Sequence, residues 1–220
     1  MDSRRQLSTE ALVRRYLWAK RHVIESGYGA EAVWQAERRP LQVTTSVFLR
    51  EATWVILSAG MSERVVRRRF ESIRRVLWDF DVSAVVQDRS VRERALAVFA
   101  HERKIDAIME VAAVANSLGD EGLRRVLTKG AEEFLGRLPY MGPATTRHLA
   151  KNLGWPVAKP DRHLVRLAAR AGRPDPDTLC GEISVWLGDP VHVVDVVLWR
   201  WCVLHERRCR SDGCDGLPHP

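Results

Sequence analysis

The chain has 220 residues, 45% of them hydrophobic, enough to bury the core of one or two domains. Its formal net charge of +7 and sequence pI near 9.7 point to a polyanionic partner or to a basic surface that serves solubility. The opening stretch MDSRRQLSTEALVRRYLW lacks an apolar core of signal-peptide length, and no run of about 18 apolar residues occurs, so secretion and membrane spanning are not expected.

Taken in chain order, the apolar residues recur at helical spacing. Leu12, Tyr16, Ala19 and Val23 mark a first helix, which Gly27 and Gly29 close. Thr44, Thr45 and Ser46 offer an N-cap for a helix through Phe48, Trp54 and Leu57, ending near Gly60. Residues 83–90 read as a loop, and residues 101–104 separate two further helices. Ile105, Ile108, Met109, Ala112 and Ala115 share one helical face, with an end expected over residues 116–120. Another helix spans 123–138, bent near Gly130. Beyond Gly172, a loop rich in Pro and Asp leads to two last helices, near 181–187 and 191–205. Strand-like alternation is scarce, and the expected fold is all-α.

The most informative stretch is LPYMGPATTRHLAKNLGWPVAKPDRHLVRLAARAG, residues 138–172. Gly142 allows a tight backbone turn, and Pro143 suits the first turn of a following helix that carries Leu149 and Leu153. A hairpin this short, through Tyr140, Met141 and Gly142, leaves backbone N–H groups at a helix start, a natural phosphate site. Thr145 and Thr146 add hydroxyl donors there, and Arg147 and Lys151 add charge one turn on. The plain alternative is an ordinary helical corner. Downstream, Pro160-Asp161 precedes a helix that begins at Arg162, so Asp161 suits an N-cap.

The pairing of L-P-x-x-G with a later D-x-H-x-x-R, here Asp161, His163 and Arg166, resembles the signature of the helix-hairpin-helix (HhH-GPD) superfamily of base-excision DNA glycosylases, which includes endonuclease III. Leu57-Ser58-Ala59-Gly60 is similar to a segment of the same family, and the resemblance covers residues 45–205. It implies two helical domains with a DNA-binding cleft between them: residues 44–155 as a helical barrel ending in the hairpin, and residues 1–43 plus 156–220 as a second domain. It further implies Asp161 as the catalytic carboxylate, beside a deoxyribose that gains positive charge as its N-glycosidic bond breaks. Arg162 would join the DNA contacts, with His163 and Arg166 in support.

Strand-cutting members of that family carry a Schiff-base lysine where this chain has Ala144. The resemblance therefore implies a monofunctional enzyme that leaves an abasic site. The alternatives are a glycosylase with lyase activity and a DNA-binding module without chemistry. Such an enzyme flips its target base into a pocket. Trp54 is placed to stack on that base, or else to pack in the core, and Met61 is placed to wedge into the duplex. The implied partner is double-stranded DNA containing a modified base, met by a cytoplasmic, nucleoid-associated monomer with no membrane association. The role is either repair or removal of hypermodified bases from phage DNA.

Many relatives hold a four-iron cluster with C-x6-C-x2-C-x5-C. Here Cys202, Cys209 and Cys214 have no fourth cysteine in place, and Cys180 is far upstream. A zinc site from His205, Cys209, Cys214 and His219 fits no standard spacing. No metal or other cofactor is expected.

Overall fold

The computed structural model describes residues 7–205 and Pro218. Every regular element among them is helical. In chain order these are α1 (Thr9–Val23), α2 (Gly29–Ala36), α3 (Thr45–Ser58), α4 (Glu63–Val76), α5 (Val82–Gln87), α6 (Val91–Val98), α7 (Glu102–Leu135), α8 (Pro143–Asn152), α9 (Arg162–Arg170), α10 (Pro176–Leu187) and α11 (Val191–Leu204). No helix among the described residues is long and apolar enough to cross a membrane.

Two compact units form. One comprises Met1–Arg38 with Gly154–Pro220, the other Arg39–Leu153. The cuts lie a few residues before the 44 and 155 boundaries drawn from sequence.

In the unit built from both chain ends, α1 packs on α10 and α11. Leu12, Tyr16, Ala19 and Val23, the face expected from their spacing, join Leu179, Ile183, Val194, Val197, Leu198 and Trp201 in one core. Burying each large side chain contributes roughly 1.5–3 kcal/mol. The Tyr16 hydroxyl donates to Asp189 Oδ2 at 2.7 Å, and burial pushes its ionisation well above the ordinary phenol range. Between α1 and α2 the helical run is broken at Gly27, as its residue type led us to expect, whereas Gly29 opens α2 rather than closing α1. The chain widens there into a π-turn over Ile24–Tyr28, with Gly27 at φ 87°.

In the central unit, α3 lies against α7 and α8, and α4 packs on α3 and α6. The Thr44 side chain caps α3 by accepting from Val47 N at 3.2 Å. The long α7 is interrupted where the sequence indicates. Gly119 has φ 62° and ψ 176°, a region open essentially to glycine, and Gly130 is extended. The first break frees Asp120 to accept from Thr45 N and Oγ1 at 2.8 and 2.9 Å, which ties α7 to the start of α3.

Three expectations fail for identifiable reasons. Residues 83–90 are not all loop: the Asp81 carboxylate accepts from Ala84 N at 3.0 Å, and Val82 and Val85 are buried, so α5 forms. The break near 101–104 falls earlier, over 99–101, and Lys104 lies inside α7. Helix α10 starts at Pro176 rather than 181, because Asp175 caps it through Thr178 N at 2.7 Å.

One buried ion pair ties the N-terminal residues to α10. The Arg173 guanidinium bonds Glu182 at 2.5 and 2.8 Å and the carbonyls of Ala171 and Leu7 at 2.9 and 3.0 Å. Hydrogen bonding to Arg173 holds the Glu182 carboxyl below the ordinary carboxylate value. A depressed folded value means that this contribution is complete above the ordinary pKa and is lost as pH falls through the folded one. Glu182→Gln is expected to lower stability by about 3 kcal/mol at neutral pH, because it leaves Arg173 buried and unpaired. In denaturant melts, the gap from the wild type should shrink as pH falls below about 4. A gap that does not vary with pH refutes this account.

Candidate functional site

Asp161 follows a loop that two carboxylates brace. Ala158 N donates to Asp177 Oδ1 at 2.8 Å, and Lys159 N donates to Asp195 Oδ2 at 2.7 Å. Asp195 is 1% exposed, so the second anchor is set within the core. Asp161 then caps α9, with Oδ1 accepting from His163 N at 2.9 Å and Leu164 N at 3.1 Å. Oδ2 lies 4.0 Å from Lys159 Nζ, and the side chain is 15% exposed. The carboxylate is therefore held in one rotamer by backbone donors, beside a cation, without being sealed in the core.

Arg162 is exposed, and its Nε lies 3.3 Å from His163 Nε2. His163 and Arg166 line a shallow depression with Leu167, Arg170 and Cys202, and Asp161 is not part of that lining. They share α9 with Asp161 but not a pocket.

The hairpin belongs to the central unit. From Gly136, which ends α7, the chain turns through Leu138 to Gly142 and enters α8 at Pro143. Leu138 and Met141 are each 8% exposed and point inward, so Met141 offers only backbone to a partner. The left-handed residue of the turn is Tyr140, at φ 65°, and not Gly142, whose φ −80° and ψ 177° suit any residue. Tyr140 stays there because its ring is held, edge-on to His101 at 6.4 Å and under Lys104 Nζ at 5.9 Å. Gly142 is exposed, and a Cβ there would meet nothing within 4 Å. As N-cap it also lacks a side chain to fill the first N–H groups of α8. A close approach from outside is left open.

Several expected contacts do not reach the surface. Thr146 and Lys151 are 6% and 5% exposed, on the side of α8 buried with Leu149 and Ala150. The Thr145 hydroxyl lies 3.0 Å from the carbonyls of both Tyr140 and Gly142, so its proton stays inside the turn. Arg147 keeps 25% of its side chain exposed, 3.8 Å from Glu132.

Trp54 is half-buried, edge-on to Phe70 at 5.2 Å with the Arg67 guanidinium 5.5 Å from its ring. That packing occupies the ring within its own unit. Met61, 37% exposed, follows Gly60, whose φ of 69° turns the chain out of α3.

Two groups that sequence reasoning passed over organise this unit. Lys104 is 2% exposed, and its Nζ donates to the carbonyls of Leu57 and Ala59 at 2.7 and 2.6 Å. It thus fixes the end of α3 just before Met61 while its cation faces Tyr140 of the hairpin. Burial pushes the lysine pKa down. Glu51, 5% exposed, takes Arg50 Nε at 2.9 Å and Asn152 Nδ2 at 3.1 Å, joining α3 to α8. The available signal was phase, since both are charged residues on the apolar face of a helix. Cys180 and Cys202 are buried, and Cys209, Cys214 and His219 lie outside the described residues.

Lys104→Met is expected to cost about 1–3 kcal/mol in chemical denaturation, because the α3 carbonyls lose their buried donor. A variant as stable as the wild type removes Lys104 from this role.

Comparison of the chain with protein-family models, with curated proteins and with solved structures finds no match in any of the three.

Proposed function

We propose that this chain is a DNA glycosylase of the helix-hairpin-helix superfamily, which hydrolyses the N-glycosidic bond of a modified or damaged base and leaves an abasic site. The observation that carries the reading is the Asp161 carboxylate, fixed by two backbone donors at the start of α9 and still partly open to solvent. Breaking the glycosidic bond places positive charge on the deoxyribose. A fixed anion stabilises that charge and accepts a proton from the attacking water. Lys159 and Arg162, on either side of Asp161, suit the flanking phosphates.

The hairpin supports the same reading through Gly142. Its backbone conformation does not require glycine and no atom of the chain occupies the place of a Cβ, so a DNA strand that approaches the N–H groups of α8 gives the residue a purpose. The position that holds a lysine in strand-cutting members is Ala144, so the chemistry stops at hydrolysis. Met61 is the exposed candidate to fill the gap a flipped nucleotide leaves.

The test separates capping from chemistry. Asparagine caps a helix about as well as aspartate, so Asp161→Asn should keep wild-type stability while base release falls at least about 100-fold. Asp161→Ala should lose the cap as well, at about 1 kcal/mol. The measurement is mass spectrometry of bases freed from a panel of modified duplexes, and equal release by wild type and Asp161→Asn sinks the assignment. Hot alkali should be needed to break the strand at the product site.

Gly142→Ala provides the second check. The substitution should lower thermal stability only slightly, because alanine is a poorer N-cap than glycine but also restricts the unfolded chain. Duplex affinity, read by fluorescence anisotropy, should drop because the added methyl stands where the phosphate approaches. Unchanged affinity argues against the hairpin as a DNA contact.

A further inference from the structure

Helix α4 carries six arginines and two glutamates in its sequence ERVVRRRFESIRRV. Its apolar face is already spent inside the unit, where Val66 and Ile73 are fully buried and Phe70 packs on Trp54 and Phe80. Most of the arginines are spent as well. Arg67 pairs with Glu63, Arg69 donates to the Val98 carbonyl, and Arg74 and Arg75 share Glu71. Arg64 and Arg68 are both exposed, and among the described residues no hydrogen bond or ion pair engages either.

Their position is unfavourable for the isolated chain. Arg64 is the second residue of α4, where the positive end of the helix dipole disfavours a cation, and Arg68 stands one turn on along the same face. Two exposed positive charges so placed gain no partner among the described residues. They lie three and seven residues beyond the exposed Met61.

We infer that the outward face of α4 at Arg64 and Arg68 is a contact surface for the phosphate backbone of duplex DNA, flanking the Met61 turn. The two residues are about 6 Å apart along the helix axis, close to the axial rise over two phosphate steps of one strand. Guanidinium is the group suited to bidentate phosphate recognition. An anionic membrane is the poorer fit, because interfacial helices insert an apolar face and that of α4 is buried. The proposal rests on DNA as the partner but not on the chemistry of Asp161.

The test uses the full chain and an unmodified duplex, with affinity measured by anisotropy across a salt series. Arg64→Ala/Arg68→Ala should reduce the slope of log K against log[salt] by about 1.8, two phosphate contacts' worth. The control is Arg14→Ala/Arg21→Ala, which removes two exposed arginines of α1 that pair with Glu10 and Glu25 and should leave the slope unaltered. An unchanged slope in the α4 variant, or an equal fall in the control, overturns the proposal. So does loss of binding to phosphatidylserine vesicles with DNA binding intact. Base release by the wild type from the panel of modified duplexes is read separately. If the slope falls as expected but no duplex in the panel loses a base, the surface stands and the glycosylase reading falls.

Discussion

Backbone N–H groups need partners, and at Ala158 and Lys159, just before Pro160, those partners are carboxylates. That constraint determines where Asp161 stands. Asp177 takes Ala158 N and the core residue Asp195 takes Lys159 N, so the chain reaches Pro160 with little freedom left. Asp161 then satisfies two more donors at the start of α9. Three aspartates in succession thus convert an irregular segment into a rigid mount. A catalytic carboxylate needs such a mount, since a group free to rotate loses much of its electrostatic effect at the reacting atom.

The features visible in the sequence were those that local chemistry decides. Thr44, Gly119, Gly130, Pro143 and Asp161 each act on the backbone within a few residues, and each does in the structure what its residue type indicates. The α1 face of Leu12, Tyr16, Ala19 and Val23 was equally plain, because helical period and burial coincide there. Tertiary packing decided the rest. The polar run around α5 looks like loop until Val82 and Val85 find a core to enter. Thr146 and Lys151 look like phosphate ligands until α8 buries them. Tyr140 takes the left-handed position that Gly142 seemed to supply, because His101 and Lys104 hold its ring.

Lys104 shows why the two exposed loops of the central unit need not be independent. Its ammonium closes the last carbonyls of α3, from which Gly60 and Met61 emerge, and faces the ring of Tyr140 in the hairpin. A buried cation costs desolvation, which the lowered pKa records, and two carbonyl acceptors with an aromatic face offset it. Glu51 does the corresponding work between α3 and α8 through Asn152. Both links are polar and directional, so they set the relative placement of the two loops more narrowly than apolar packing alone.

The charge distribution follows the same logic. A net charge of +7 says little by itself about a polyanionic partner, because several exposed arginines of this chain answer an acid close by in sequence. Arg14 with Glu10, Arg21 with Glu25, Arg67 with Glu63 and Arg137 with Glu133 are all spaced four apart, an arrangement that stabilises an exposed helix modestly and attracts little else. Arg64 and Arg68 stand outside these pairs: among the described residues neither has an acid set against it, and Arg64 lies in the first turn of α4, where the dipole opposes a cation. An exposed cation so placed, with no acid set against it among the described residues, fits the DNA contact proposed above.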